Sequence, residues 1–176
     1  MHIVGTRCAI RSWRHSDAAR IARLADDRDI WLNLRDVFPH PYTREDAEEY
    51  LAAVTNRDPE TSVAIEVDGI AVGTIGMTIG ADVERASAEI GYWIGRAYWG
   101  RGIASEALTL ATGHAFETLP VNRIFALPFA RNEASCRVLE KAGYQRQARL
   151  RASAIKDGVV LDQWLHDIVR EVPLVW

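Results

Sequence analysis

Residues 89–115, EIGYWIGRAYWGRGIASEALTLATGHA, pass from a strand pattern to a helical one across a turn that holds Gly95, Gly100 and Gly102. Ala88 to Gly95 reads as a buried strand. Ile103, Ala104, Ala107, Leu108, Ala111 and Ala115 recur at intervals of three and four, which places them on one face of a helix. A glycine-bearing turn that opens a helix is a physical device for holding an anion. The first N–H groups of the helix have no internal partner, the macrodipole adds partial positive charge, and glycine lets the backbone approach a phosphate closely. The segment is expected to grip a phosphorylated ligand.

Upstream, Arg7 to Trp13 reads as a first strand, with Ser16 and Asp17 as an N-cap for the amphipathic helix ARIARLADD. A second helical piece is expected around Ile30 to Arg35, and Pro39 and Pro41 make VFPHPYTRED a loop. Thr43 with Asp46 forms a capping arrangement for a helix from Glu45 to Val54. TSVAIEVDGIAVGTIGMTI is a hairpin signal turning at Asp68-Gly69. Downstream come a strand in NRIFALPF, a helix between an Asn132 cap and a Gly143 terminator, and a closing hairpin that turns at Lys156-Asp157-Gly158. In its first strand Ala148, Leu150, Ala152 and Ala154 alternate with Gln147, Arg149 and Arg151, the pattern of a half-buried strand. The whole is a mixed α+β domain spanning residues 1–176, with a largely antiparallel sheet interrupted by one strand-helix-strand unit.

A chain of 176 residues that is 48% hydrophobic and 26% charged can bury one sizeable core. A net charge of −3 argues against direct nucleic-acid binding dominated by phosphate contacts. Cys8 and Cys136 are too few and too scattered for a disulfide framework or a zinc site, and a cytoplasmic location is expected. No apolar run is long enough for a membrane span, and MHIVGTRCAIRSW lacks the apolar stretch of an export signal. The five histidines share no ligand spacing, so no metal is expected.

Two familiar glycine motifs fail here. Gly95 to Gly100 has the first spacing of a Walker A loop, but Arg101 and Gly102 stand where lysine and a hydroxyl are needed. A dinucleotide fingerprint fails at Ser105, where the third glycine belongs. WGRGIA, residues 99–104, instead resembles the [Gln/Arg]-x-x-Gly-x-[Gly/Ala] pyrophosphate loop of the GNAT superfamily of acetyl-CoA-dependent acetyltransferases. Gly102 and Ala104 match, and Trp99 departs from the pattern. A second block, Asn132 to Tyr144, is similar to that superfamily and follows at the expected distance. RSWRHSDAARIARLADD, FPHPYTREDAEEYL and KDGVVLDQWLHDIV look like the RimJ/RimL-type branch, whose known members acetylate ribosomal-protein N-termini.

The resemblance implies a GNAT fold: about seven mostly antiparallel, twisted strands flanked by about four helices, with strands 4 and 5 splayed. It implies acetyl-CoA as co-substrate, its pyrophosphate on the backbone of Arg101, Gly102, Ile103, Ala104 and Ser105, with Arg96 or Arg101 adding charge or remaining solvated. Its pantetheine would pair with the backbone near Trp93 and Ile94, and Asn132 would lie near the coenzyme or simply cap its helix. Glu89 is the candidate base, or else a structural carboxylate. The tyrosine used by many members to protonate the thiolate is replaced by Leu139, leaving Ser135 as candidate acid or first-turn cap. Trp31, Phe38 and Tyr42 fall in the region that covers the acceptor, and Asp162 and His166 on the last strand are further candidates there. The acceptor is an amine, of a protein N-terminus or of a small molecule; a non-catalytic acyl-CoA-binding module is the other reading, and a homodimer is the family-level expectation.

Overall fold

The chain opens with a strand too short to leave a pattern. His2–Val4 (β1) pairs antiparallel with Ala9–Arg11 (β2), so the strand expected over Arg7 to Trp13 contracts to three residues and gains a partner on its outer edge. A computed structural model describes residues 1–170. In chain order follow helices Ala18–Ala25 (α1), Arg28–Trp31 (α2) and Arg44–Val54 (α3), and strands Ser62–Val67 (β3), Ile70–Ile79 (β4) and Ser87–Ile94 (β5). Then come helix Ile103–Thr118 (α4), strand Arg123–Ala126 (β6), helix Glu133–Lys141 (α5) and the hairpin Gln145–Lys156 (β7) and Val159–Val169 (β8). The described residues thus hold eight strands and five α-helices, one more of each than expected. The sheet runs β1-β2-β3-β4-β5-β6-β8-β7, and every neighbouring pair is antiparallel except β5 with β6. Because β1 enters the count, the splay expected between strands 4 and 5 falls between β5 and β6.

Local signals set most of these elements. Thr43 and Asp46 cap α3 reciprocally: the Asp46 N–H donates to the Thr43 hydroxyl at 3.2 Å and the Thr43 N–H to the Asp46 carboxylate at 2.7 Å. Asp68 and Gly69, at φ of 50° and 79°, turn the β3–β4 hairpin. Asn132 caps α5, and Gly143 ends it at φ of 94°. The helical piece expected over Ile30 to Arg35 starts earlier, because the Asp27 carboxylate accepts the N–H groups of Asp29 and Ile30.

Asp17 does not cap α1. Its carboxylate takes both terminal nitrogens of Arg11, at 2.8 and 2.9 Å, and the Arg14 N–H at 3.0 Å. Arg11 is 2% exposed, and its Nε also meets Glu66. A guanidinium this deeply buried is tolerable only with its charge answered on both sides. The half-buried pattern read into β7 is not observed. β7 is the outer strand of the sheet, exposed along most of both faces, and register shifts at Arg146/Ala148 and Leu150/Ala154 break its period of two.

Helices cover both faces of the sheet. Ile103, Ala107, Leu108 and Ala111 of α4 pack with Ile10, Ile65, Val72 and Ile124. On the other face Ile21 and Ala25 of α1 and Ala47 and Leu51 of α3 pack with Ala64, Ala71 and Trp93. The tip of the β7–β8 hairpin reaches back to the α2–α3 loop. Lys156, 1% exposed, places its ammonium 2.8 Å from an Asp36 oxygen and 3.9 Å above the Trp31 ring centre. Replacing Arg11 by alanine strands two buried carboxylates and is expected to lower the unfolding free energy by about 3–5 kcal/mol, read as a lower urea midpoint at pH 7.

Candidate functional site

β5 carries β4 on one edge and, for part of its length, β6 on the other. The antiparallel ladder with β4 runs unbroken from Ile79↔Ala88 to Gly73↔Ile94, and Gly95 N–H donates to Val72 C=O at 2.8 Å. Paired residues alternate between hydrogen-bonded and open positions, so Glu89, Gly91 and Trp93 bond to β4 while Tyr92 and Ile94 turn their backbone groups outward. On that outer edge β6 pairs only from Ser87 to Glu89. Beyond it, among the described residues, no strand pairs with Tyr92 and Ile94 on that edge. The backbone expected at Trp93 to hold an extended ligand is therefore committed to β4; the open edge belongs to Tyr92 and the Ile94 N–H.

The Ile94 carbonyl on that edge is already taken. Trp99 Nε1 donates to it at 2.7 Å, which gives a physical reason for an indole at the head of the loop. Gly100 and Gly102 follow at φ of 72° and 76°, and Gly102 is the N-cap of α4 without any side-chain cap. The first intrahelical bond is Glu106 N–H to Gly102 C=O, at 3.2 Å, leaving the N–H groups of Ile103, Ala104 and Ser105 for an anion. Arg101 extends from this turn, its guanidinium 5.6 Å from the Tyr98 ring centre. Arg96 points elsewhere: it pairs with the Asp27 carboxylate at 3.1 Å and with Asp29, and stacks over Trp99.

Glu106, in the first turn of α4, was not singled out from the sequence. Its carboxylate accepts the N–H groups of Thr6, Arg7 and Cys8 at 2.9, 2.6 and 3.1 Å and the Thr6 hydroxyl at 2.6 Å. Burial opposes its ionisation, but these four donors outweigh burial and pull its pKa from 4.5 to about 2. Glu106 thus ties the β1–β2 turn to the helix end that frames the glycine loop.

A cavity of about 490 Å³ opens where β5 leaves β6. Glu89, Phe38, Tyr42, Trp93 and Ser135 all line it. Trp31 does not; it stacks on His40 with ring centres 5.4 Å apart, behind the wall. Glu89 is ion-paired with Arg35 of the α2–α3 loop, whose side chain is 67% exposed. Ser135 receives the Asn132 cap through its N–H at 3.1 Å, while its hydroxyl sits 2.7 Å from that of Tyr92. Tyr92 is the residue that sequence reasoning passed over: Leu139 is wholly buried, and the phenol near the α5 N-terminus comes from β5 instead. Burial raises the Tyr92 pKa, so the hydroxyl keeps its proton at neutral pH. On β8 it is Gln163 that lines the cavity. Asp162 binds Arg149 at 2.7 Å, and His166 is buried 3.6 Å from Glu140, so neither candidate reaches the acceptor side. Cys136 is fully buried and its thiol pKa is raised by that burial.

A helix end with free N–H groups, an open strand edge and a cavity lined by a carboxylate lie side by side. Residues 7–145 match the Acetyltransferase (GNAT) domain, and the chain belongs to that family. The uncharacterized N-acetyltransferase YoaA of Bacillus subtilis is 38% identical over 99 residues, 56% of this chain and 55% of YoaA. N-acetyltransferase p20 of Bacillus licheniformis is 31% identical over 109 residues, 62% of this chain and 61% of p20. The matches therefore span less than two thirds of either relative. RimL, a ribosomal L7/L12 α-N-protein acetyltransferase in complex with CoA, superposes with a TM-score of 0.85 at 16% identity, covering 97% of this chain and 98% of that one. Mycobacterium smegmatis RimJ in complex with CoA-disulfide gives 0.82 at 23% identity, covering 96% and 87%. At those identities the likeness is one of fold.

The lowered pKa of Glu106 has a signed consequence. A carboxylate titrating at about 2 when folded and near 4.5 when unfolded adds stability that is complete above about pH 4.5 and vanishes as pH falls towards 2. Glu106→Gln is expected to unfold at lower urea than the wild type at pH 7, with the difference closing between pH 4.5 and 2 in a series of urea titrations.

Proposed function

We propose that this chain is an N-acetyltransferase that uses acetyl-CoA and passes the acetyl group by direct attack to the α-amine of a peptide or protein N-terminus. The observation that carries the reading is the parting of β5 from β6 immediately after Glu89, which leaves an open backbone edge between the Gly102 turn and the cavity. The residues fit the donor. A left-handed glycine and the free N–H groups of Ile103, Ala104 and Ser105 suit a pyrophosphate, with Arg101 beside them. The Tyr92 backbone and the Ile94 N–H suit the amides of pantetheine as an added strand would. Acetyl-CoA supplies the thioester carbonyl that the amine attacks.

The remaining work falls to the chain. Glu89 takes the proton of the ammonium once Arg35 is displaced from it. An α-amine, with a reference pKa near 8, gives up that proton more readily than a lysine near 10.4, which favours an N-terminal acceptor. The Tyr92 and Ser135 hydroxyls, in mutual contact, can donate to the departing thiolate. The L7/L12 acceptor named for RimL is one model for the target, by fold alone.

The test is thiol release from acetyl-CoA with a panel of N-terminal peptides and small amines. Turnover on peptides supports the reading, whereas turnover only on small amines transfers the acceptor to that class and CoA binding with no turnover at all leaves a binding module. Glu89→Gln is expected to lower kcat about 10²–10⁴-fold at pH 7 and to recover partly at higher pH; a wild-type pH profile removes Glu89 as base. Gly102→Asp, which strains a φ of 76° and sets a negative charge at the loop, is expected to abolish CoA binding in calorimetry.

A further inference from the structure

On the sheet face that carries Trp93, three cross-strand pairs of the β4–β5 ladder line the cavity: Thr78 with Glu89, Gly76 with Gly91, and Thr74 with Trp93. The outer two are filled. Glu89 holds Arg35, Thr74 Oγ1 lies 3.0 Å from the Tyr50 hydroxyl, and Trp93 packs edge-on against Phe38 with ring centres 5.9 Å apart. Only the middle rung is bare. A Cβ built on Gly76 or on Gly91 meets nothing within 4 Å, and neither residue has a positive φ, so neither crowding nor backbone conformation calls for glycine there. Gly73 on the same strand differs, since a Cβ there would lie 2.3 Å from the Trp93 carbonyl. Glycine inside a strand is destabilising relative to alanine, and two face each other here. Such a gap in a sheet suits the close approach of another molecule.

We propose that the Gly76–Gly91 rung seats the first side chain of the acceptor, and that the site selects an α-amine bearing a bulky apolar, preferably aromatic, side chain. This rests on the reading of Glu89 as the amine-binding end. Glu89 and Gly91 are two steps apart along β5, about 7 Å at the rise of a strand, the reach from an α-nitrogen to the far part of its own side chain. The walls are aromatic: Trp93, Phe38 and Tyr42, the last two with ring centres 4.7 Å apart. The polar end asks for nothing. Tyr50, Ser62 and Thr74 bond to one another at 2.6 and 3.0 Å, with Thr74 donating to the Val63 carbonyl and Trp13 to Ser62, and Arg57 sits exposed at the rim.

Gly91→Val and Gly76→Val fill the rung with a side chain that strands favour. Phenylalanine amide and glycine amide, which differ only in that first side chain, are the probes, with thiol release from acetyl-CoA as readout. Wild type is expected to prefer phenylalanine amide about tenfold or more in kcat/KM, and each variant to lose that preference through a raised KM, with CoA affinity and Tm reporting an intact fold. No wild-type preference, or a preference that survives in both variants, overturns the proposal. If the wild type acetylates neither amide, the reading of the activity fails first. The rung is then judged by calorimetry of phenylalanine amide into CoA-saturated protein: binding to wild type and not to Gly91→Val upholds it, and no binding to wild type, or equal binding to both, refutes it.

Discussion

A strand in the middle of a sheet must satisfy hydrogen-bonding groups on two edges, and β5 does so on only one along its second half. That single omission organises the molecule. Because β6 turns away after Glu89, the chain has room for a cavity through the sheet, and the backbone of Tyr92 and Ile94 needs a partner from outside. The indole of Trp99 takes up one of these groups and fixes the turn that follows, so the width of the opening and the position of the glycine loop are set together. Glu106 then holds the same helix end against the N-terminal hairpin. The Glu106 contacts join segments about 100 residues apart.

The charges around the cavity are arranged as pairs that must be exchanged. Glu89 already holds a guanidinium, so in the proposed reaction an arriving ammonium would replace one cation by another. Since Arg35 is largely exposed, its pair is worth little and yields at small cost. Arg96 is the contrary case: Asp27 caps α2 and binds Arg96 at once, which withdraws that arginine from the phosphate side. Of the two arginines that bracket the loop, this leaves Arg101 beside the free N–H groups of α4.

What the sequence disclosed follows from range. The Thr43–Asp46 cap, the Asp68-Gly69 turn and the Asn132 and Gly143 signals act within four residues and were legible directly. Glu89, Phe38, Tyr42 and Ser135, named because two motifs in the right order narrowed the fold, line one cavity. Hidden were the groups whose partners lie far along the chain: Arg11 with Glu66, Tyr92 with Ser135, and Glu106 with residues near the N-terminus. Asp17 shows the conflict plainly, since its position before a helix suggests a cap while tertiary structure spends its carboxylate on Arg11. β7 misled because its alternation is real in the sequence, yet an outer strand broken by bulges has no second layer to bury one face.

The contact of Lys156 with Asp36 and Trp31 also bears on how the protein is made. Lys156 and Asp36 are 120 residues apart, and the lysine is supplied by the β7–β8 hairpin. Synthesis at about 5–20 residues per second keeps the α2–α3 loop waiting for seconds with Trp31 uncovered. During that interval Trp31 of the nascent chain lacks the ammonium above its ring, and the contact forms only after the β7–β8 hairpin has been made.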